Sequence, residues 1–382
     1  MRRILIFSLA YYPHVGGAEI ALKEITDRIS PEEIEFHMVT MRFTASEAWE
    51  EKIGNVHVHR IGNSASYFSK ILFIIRAAGR AWTLHNETRF DVFWGMMSYM
   101  AFPIALLRIA GLRLPYVLTL QDGDPFEQVM NRARIALVRP LLSFGFRHAN
   151  VVQVISYFLA DWPRQLGYHG PVIVIPNGVD ASPFTGEHIA QSVPTLITTS
   201  RLVHKNAIDT VIRALPLMSS VRFQILGIGP EEQRLKDLAQ ELGVADRVEF
   251  LGFVENAQIP DYLHHADIFI RPSRSEGMGI SFIEAMAAGI PVIATQEGGI
   301  GDFLFDAKRN ADMPTTGWAV DKDSPEQIAG AVEDIMAHPE QVRAVVAAAA
   351  AMAHEKYDWN LIVKEMTEKV FERILTSNIN KV

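Results

Sequence analysis

The chain has 382 residues, 49% of them apolar and 21% charged, a composition ordinary for two or three globular domains. It contains no cysteine, which excludes a disulfide framework, a thiolate metal site and a thiol nucleophile. The formal net charge of -8 argues against general nucleic-acid binding.

The charge is uneven along the chain. Residues 1–177 carry 18 Lys/Arg and 15 Asp/Glu, net +3, whereas residues 178–382 carry 18 and 29, net -11. The N-terminal MRRILIFSLAYYP sets two arginines before the short apolar run Ile4–Ala10. The run is brief for a signal peptide and no small-residue cleavage pattern follows, which favours a first buried strand. GGAEIALKEITDRI reads as a helix with Ile20, Leu22, Ile25 and Ile29 inward. EFHMVTMRF, VHVHRI, FDVFWGMM and PYVLTL read as further strands, with helices between several of them, the pattern of parallel βαβ units. Between residues 60 and 147 stand 11 basic and 5 acidic side chains. Here SYFSKILFIIRAAGRAW repeats apolar residues with Lys70, Arg76 and Arg80 at helical spacing. Such a helix lies either on an anionic membrane surface or against a core with its basic face in water. No stretch reaches the roughly 18 uninterrupted apolar residues of a spanning helix. The nearest, Met96–Leu107, contains Pro103 and is closed by Arg108 and Arg113.

A second series starts near Thr195. TLITTSRL, VRFQILGIG, VEFLGFV, DIFIRPS and PVIAT read as strands, and NAIDTVIRAL, PEEQRLKDLAQELG, AQIPDYLHHA and ISFIEAMAAG as the helices between them. The junction falls in VIVIPNGVDASPF, punctuated by Pro176, Asn177, Gly178 and Pro183. The Ala-rich VRAVVAAAAAMAHEKY is helical by propensity, and DWNLIVKEMTEKVFERIL is a last amphipathic helix. The expectation is two successive α/β domains, with ligands in loops at the carboxyl ends of their strands and a cleft between them.

Four loops carry candidate chemistry. In HVGGAEI, Gly16 and Gly17 precede a helix, offering N–H groups and a positive dipole end to an anion or sugar hydroxyl; a plain tight turn is the alternative. In TSRLVHKN, Arg201 and Lys205 could neutralise a diphosphate, or be ordinary surface charges. LGIGPEEQRL begins like a dinucleotide fingerprint but has Glu232 where the third glycine belongs, so it remains a close-approach loop at Gly227 and Gly229. The richest stretch is RPSRSEGMGISFIEAMAAGIPVIAT. Gly277 and Gly279 precede a helix starting near Ile280, and Glu276 and Glu284 stand at either end. Five helical residues rise about 7.5 Å, which suits one carboxylate at a ribose and another at a sugar across a diphosphate. The alternative is that Glu284 only complements the helix dipole.

The Glu276-x7-Glu284 stretch resembles the signature of the retaining glycosyltransferases of family 4, of the GT-B fold. GGAE at 16–19, IPNGVD at 175–180, SRLVHKN at 200–206 and LGIGPEEQRL at 226–235 resemble further landmarks of that family, in its order, over nearly the whole chain. The resemblance implies two Rossmann-like domains with parallel sheets facing a central cleft: residues 1–177 on the acceptor side, 178–358 binding the nucleotide sugar, and a final helix, 359–382, crossing back onto the first domain. It implies Arg201 and Lys205 at the diphosphate, Glu284 at the ribose, and Glu276 with the backbone of Gly277, Met278 and Gly279 at the donor sugar. Phe253 and Val254 match the loop that contacts the base, Gly227 the close-approach loop, and Gly16 and Gly17 the N-terminal phosphate-side loop.

The chain departs from the family in one place. Many relatives have a histidine after the strand corresponding to YVLTL; this one reads LTLQDGDP. Gln121 cannot titrate and so cannot be a general base. Gln121 and Asp122 are candidates for the acceptor or catalytic loop. Asp122-Gly123-Asp124 also has the D-x-D form that holds a metal in other glycosyltransferases, but reads here as a turn. None of the 13 histidines shows convincing ligand spacing, so no metal and no cofactor is expected. The resulting reading is a cytoplasmic, metal-independent hexosyltransferase. Its donor would be a UDP- or GDP-sugar, and its acceptor a glycan, lipid-linked or small molecule in cell-surface polysaccharide or glycolipid synthesis. Peripheral contact with an anionic membrane at the inner face goes with that reading. A UDP-sugar epimerase on the same architecture, or a catalytically idle nucleotide-sugar-binding protein, is the alternative.

Overall fold

The computed structural model describes residues 1–376, apart from 65, 187 and 190, so the end of the expected final helix, 377–382, lies outside the described residues. The chain divides into two compact units, Met1–Asn177 together with the segment from Trp359 onward, and Gly178–Asp358.

The first unit is built on an eight-stranded sheet in the order β3-β4-β2-β1-β5-β6-β7-β8. Its strands are β1 Arg2–Phe7, β2 Ile34–Met41, β3 Glu50–Ile53, β4 Val56–Ile61, β5 Val92–Met96, β6 Tyr116–Leu120, β7 Val151–Val154 and β8 Val172–Val174. All neighbouring pairs are parallel except β3–β4. Ile4, Leu5, Ile6 and Phe7 are fully buried, as a central strand covered on both faces must be. The expected strands at β1, β2, β4, β5 and β6 are present, while β3, β7 and β8 are additions. Helix α1 (Gly17–Asp27) follows β1, α2 (Tyr67–Thr88) precedes β5, and α3 (Ala101–Ala110) precedes β6.

Helix α2 is capped by Ser66, whose hydroxyl accepts from Ser69 N, and buries Phe73, Ala77, Ala78, Ala81 and Leu84. Its opposite side exposes Phe68, Ile71, Ile75 and Trp82. Among the described residues no helix is long and apolar enough to cross a membrane.

The final segment supplies Trp359, Ile362, Val363, Met366, Val370, Phe371, Ile374 and Leu375 to the core that also holds Ile4, Ile6, Phe36 and Trp94. It is not one uniform helix: α-helical turns at Trp359–Glu365 and Glu372–Thr376 flank wider π-type turns at Met366–Phe371.

The second unit has a six-stranded, all-parallel sheet in the order β11-β10-β9-β12-β13-β14. The strands are β9 Thr195–Thr199, β10 Arg222–Leu226, β11 Val248–Gly252, β12 Ile268–Arg271, β13 Val292–Ala294 and β14 Trp318–Ala319. Leu196, Phe223, Ile225, Ile268, Ile270 and Ile293 form its buried centre. The α/β architecture with two mostly parallel sheets is the one the alternation of strands and helices predicts.

Candidate active site

In the second unit the candidate residues leave the carboxyl ends of four adjacent strands. Arg201 and Lys205 follow β9, Gly227 follows β10, Phe253 and Val254 follow β11, and Glu276 to Glu284 follow β12. The close-approach reading of the glycines has a direct steric basis. A Cβ on Gly227, whose φ is 141°, would stand 1.8 Å from Ser200 O, and one on Gly229 2.2 Å from Leu202 O. The β10 loop is thereby pressed against the Arg201 loop, and Leu202 N donates to Ile228 O at 3.0 Å.

Arg201 and Phe253 are exposed. The backbone between Arg201 and Lys205 is fixed from several sides. Asn206 Nδ2 donates to Arg201 O at 2.7 Å, and Arg274 N donates to Lys205 O at 2.7 Å. Arg274 in turn makes two 3.0 Å bonds to the Asp209 carboxylate and one of 2.7 Å to Asp323. Burial opposes ionisation of Asp209, but the Arg274 guanidinium outweighs it and holds the carboxyl below its usual range. The buried Thr199 Oγ1, Ser200 Oγ and Asn206 Oδ1 have no hydrogen-bond partner among the described residues. Polar atoms of that kind are uncommon in a folded interior and here gather beside one loop.

The helix Ile280–Ala287 begins after Gly279, whose φ is 84°. A Cβ there would collide with Arg271 Nη2 at 2.5 Å and with the Phe282 ring. Arg271 is the residue that spacing alone does not single out. It is 5% exposed, its guanidinium stacks 4.2 Å from the Phe282 ring centre, and Nη2 bonds Glu276 Oε2 at 3.0 Å. Nη1 reaches Thr199 O at 3.1 Å and Ser281 Oγ at 2.9 Å, so Arg271 ties the ends of β9 and β12 together. Glu276 Oε1 accepts from Gly277 N at 2.9 Å, which fixes both carboxylate oxygens.

Burial pushes the Glu284 carboxyl up to about 7, and the Arg271 charge only partly offsets it. The same burial pulls the Arg271 guanidinium down, against the fields of Glu276 and Glu284. Glu276, Glu284 and Arg271 are thus one electrostatic group. The signal in the sequence is the arginine inside the otherwise apolar strand IFIR, since a charge in a buried strand needs a partner.

Gly16, Gly17, Gln121 and Asp122 belong to the first unit, at the carboxyl ends of β1 and β6. Gly16 is the N-cap of α1, and its N–H donates to Glu19 Oε2 at 2.8 Å. That capping carboxylate already takes one of the amides expected to face an anion. Burial raises the Glu19 carboxyl above its ordinary range, against its bonds to the backbone. Gln121 and Asn177 form a reciprocal amide pair, with both N–H to O distances 3.0 Å. Asp122 accepts from Ser98 Oγ at 2.8 Å and Ser98 N at 3.2 Å. Burial raises the Asp122 carboxyl and the two Ser98 bonds oppose it. Asp124 pairs instead with Arg132 at 3.1 Å, so the two acids of the D-x-D are held by different partners.

Residues 15–183 match the model of Glycosyltransferase Family 4, and residues 185–352 match that of Glycosyl transferases group 1. A Mycobacterium tuberculosis protein named GDP-mannose-dependent alpha-(1-6)-phosphatidylinositol monomannoside mannosyltransferase is 30% identical over 57% of this chain and 60% of its own length. The protein of the same name from Mycolicibacterium smegmatis is 30% identical over 74% of this chain and 76% of its own. The fold is similar to that of sucrose-phosphate synthase from Thermosynechococcus elongatus. The TM-score is 0.86 at 17% identity, over 99% of this chain and 100% of the other. It is also similar to Anabaena HepE solved with UDP-glucose, with a TM-score of 0.77 at 18% identity over 97% of this chain and all of HepE.

Proposed function

Because the chain belongs to glycosyltransferase family 4 and has its GT-B fold, we propose that it is a retaining hexosyltransferase. It would move a hexose from a nucleoside-diphosphate sugar to a glycan or lipid-linked acceptor. The observation that supports this most is Arg271, which joins the β9 and β12 ends, bonds Glu276 and lies in the field of Glu284. A buried cation bonded to one acid and near a second, at the carboxyl ends of parallel strands, is more than a plain βα turn needs.

In this reading Glu284 accepts ribose hydroxyls, and Glu276 with the backbone of Gly277, Met278 and Gly279 holds the sugar. Arg201 and Lys205 meet the diphosphate, and Phe253 and Val254 meet the base. The bond from the anomeric carbon to the diphosphate oxygen breaks while the acceptor oxygen bonds on the same face. The acceptor's hydroxyl proton passes to the departing phosphate oxygen. Leaving-group charge is stabilised by Arg201 and Lys205, so neither a titrating residue at Gln121 nor a metal is required. Gln121 and Asp122, each fixed by a buried partner, shape the acceptor side. The relatives named for GDP-mannose and phosphatidylinositol mannoside and the neighbour solved with UDP-glucose set the first donors to try. The exposed apolar residues of α2 support peripheral contact with an anionic membrane, which suits a lipid-linked acceptor.

Transfer from GDP-mannose and UDP-glucose to a phosphatidylinositol mannoside acceptor tests the assignment. Lys205→Ala and Glu276→Ala are each expected to lower kcat/KM at least tenfold, a loss of about 1.4 kcal/mol in transition-state binding. Full activity in either variant would overturn the site. An epimer formed from UDP-sugar without acceptor would replace transfer by isomerisation.

A further inference from the structure

A second cluster of polar side chains lies on β2, β3 and β4, on the side of β1 away from β5 and β6. His37 and His57 are register partners on β2 and β4. Their rings stack with centres 4.8 Å apart and planes 22° apart. His37 Nε2 stands 2.9 Å from Glu35 Oε1, and His37 Nδ1 stands 3.0 Å from His59 Nε2. His59 Nδ1 stands 3.2 Å from Glu50 Oε1. The row Glu35, His37, His59, Glu50 therefore has three contacts at hydrogen-bonding distance.

Counting protons along that row exposes a deficit. An ionised carboxylate only accepts, and a neutral imidazole carries one N–H. Two neutral imidazoles supply two protons for three contacts. If His59 donates to Glu50, then His37 must donate to His59, and the His37 Nε2 lone pair faces the Glu35 oxygen with nothing between them. One more positive species completes the row, either a proton, which makes a His37 imidazolium paired with Glu35, or a metal ion. A third ligand points to the ion: donor atoms of Glu35, His37 and His57 all lie within 4.8 Å of one another. Two nitrogens and an oxygen around a tetrahedral zinc stand about 3.3 Å apart, which follows from ligand bonds of about 2.0–2.1 Å; because imidazole lone pairs lie in the ring plane, closing to that spacing requires the His57 ring to turn out of its stack on His37. The supporting contacts are also in place. Arg3 Nε holds Glu35 Oε2 at 2.8 Å, leaving Oε1 toward His37. His59 orients His37 through its other nitrogen, and Phe90 packs edge-on against the His37 ring with centres 5.2 Å apart. Such outer contacts are what fix a metal-binding imidazole.

We infer that Glu35, His37 and His57 form a binding site for a zinc-type divalent ion that ties β2 to β4. The ion would take Glu35 Oε1, His37 Nε2 and one ring nitrogen of His57, with water completing the shell. It stands apart from the proposed transfer reaction, which needs no metal, so the two readings fail independently. Untagged, chelator-treated protein titrated with zinc chloride in a calorimeter is expected to bind one equivalent. His57→Ala and Glu35→Gln, each checked for native circular dichroism, are expected to weaken that binding at least tenfold, while His338→Ala leaves it unchanged. Failure of the wild-type protein to bind zinc stoichiometrically would overturn the site and leave the row bridged by a shared proton. Equal affinity in wild type and both variants would overturn it as well.

Discussion

At the scale of single residues, the weight falls on Glu284. Its neighbour Glu276 has a direct ion pair with Arg271 at 3.0 Å, whereas Glu284 feels Arg271 only through its field, so burial prevails and its carboxyl stands near 7. The linkage sign follows. Between the ordinary value of 4.5 and about 7 the native state keeps a proton that the unfolded chain has released. Stability therefore falls as pH rises through that window; the cost is absent below it and complete above about 7. Glu284→Gln removes the titration. The melting temperature of the variant minus that of the wild type is expected to rise from pH 5 to pH 8. The change corresponds to on the order of 1–2 kcal/mol once partial exposure is allowed for. A difference flat in pH would show that Glu284 ionises without penalty. The spacing of Glu276 and Glu284 is legible in the sequence itself, because the glycines and the resumed apolar period fix where the helix begins. Arg271 shows only as a charge in an apolar strand; its partners do not show, since they come from β9, the 276 loop and the helix after it, and no local pattern records a contact across 72 residues.

At the scale of elements, what is legible follows burial. The strands that read clearly are the apolar ones in the middle of the sheet. β3 does not stand out because EEKI is polar and pairs only at an edge, although the Gly54-Asn55 step before β4, with Gly54 at φ 55°, is a usable hairpin signal. β8 is absorbed into the punctuated junction around Pro176, and the histidine row stays hidden because His37 and His57 are neighbours only through strand pairing. Helix α2 shows the opposite limit. Its period announces one buried face, and the structure has a second apolar line, Phe68, Ile71, Ile75 and Trp82, on the side away from it. Exposed Lys70 and Arg76 stand on the same helix. Such a face with basic neighbours is suited to an anionic bilayer, each isoleucine being worth about 1.5–3 kcal/mol when fully buried. In flotation with phosphatidylglycerol-containing vesicles the protein is expected to rise with the lipid. It should stay behind with neutral vesicles, and an Ile71→Ser, Ile75→Ser double variant should lose at least tenfold in bound fraction. Equal partitioning into both lipids would remove the membrane from the proposal.

At the scale of the whole molecule, the first unit is discontinuous in sequence, closed by residues that come after the second unit is complete. Phe371 lies edge-on to Trp94 with ring centres 5.1 Å apart and 6.2 Å from Phe36, so the last segment fills the core beside β2 and β5. That contact also explains why DWNLIVKEMTEKVFERIL is amphipathic: its apolar side completes a sheet face far earlier in the chain. The long return makes the first unit depend on the chain's end, while the second has its own continuous stretch and its own core of Leu196, Phe223 and Ile268. Phe371→Ala removes a fully buried ring and is expected to cost about 3–5 kcal/mol. The loss should fall on one unit only. Calorimetric unfolding should show one transition lowered and the other retained, and on the proposed donor site an added nucleoside diphosphate should still raise the retained transition. A single transition that moves as a whole would mean that the two units unfold as one, and the discontinuity would then have no thermodynamic consequence of its own.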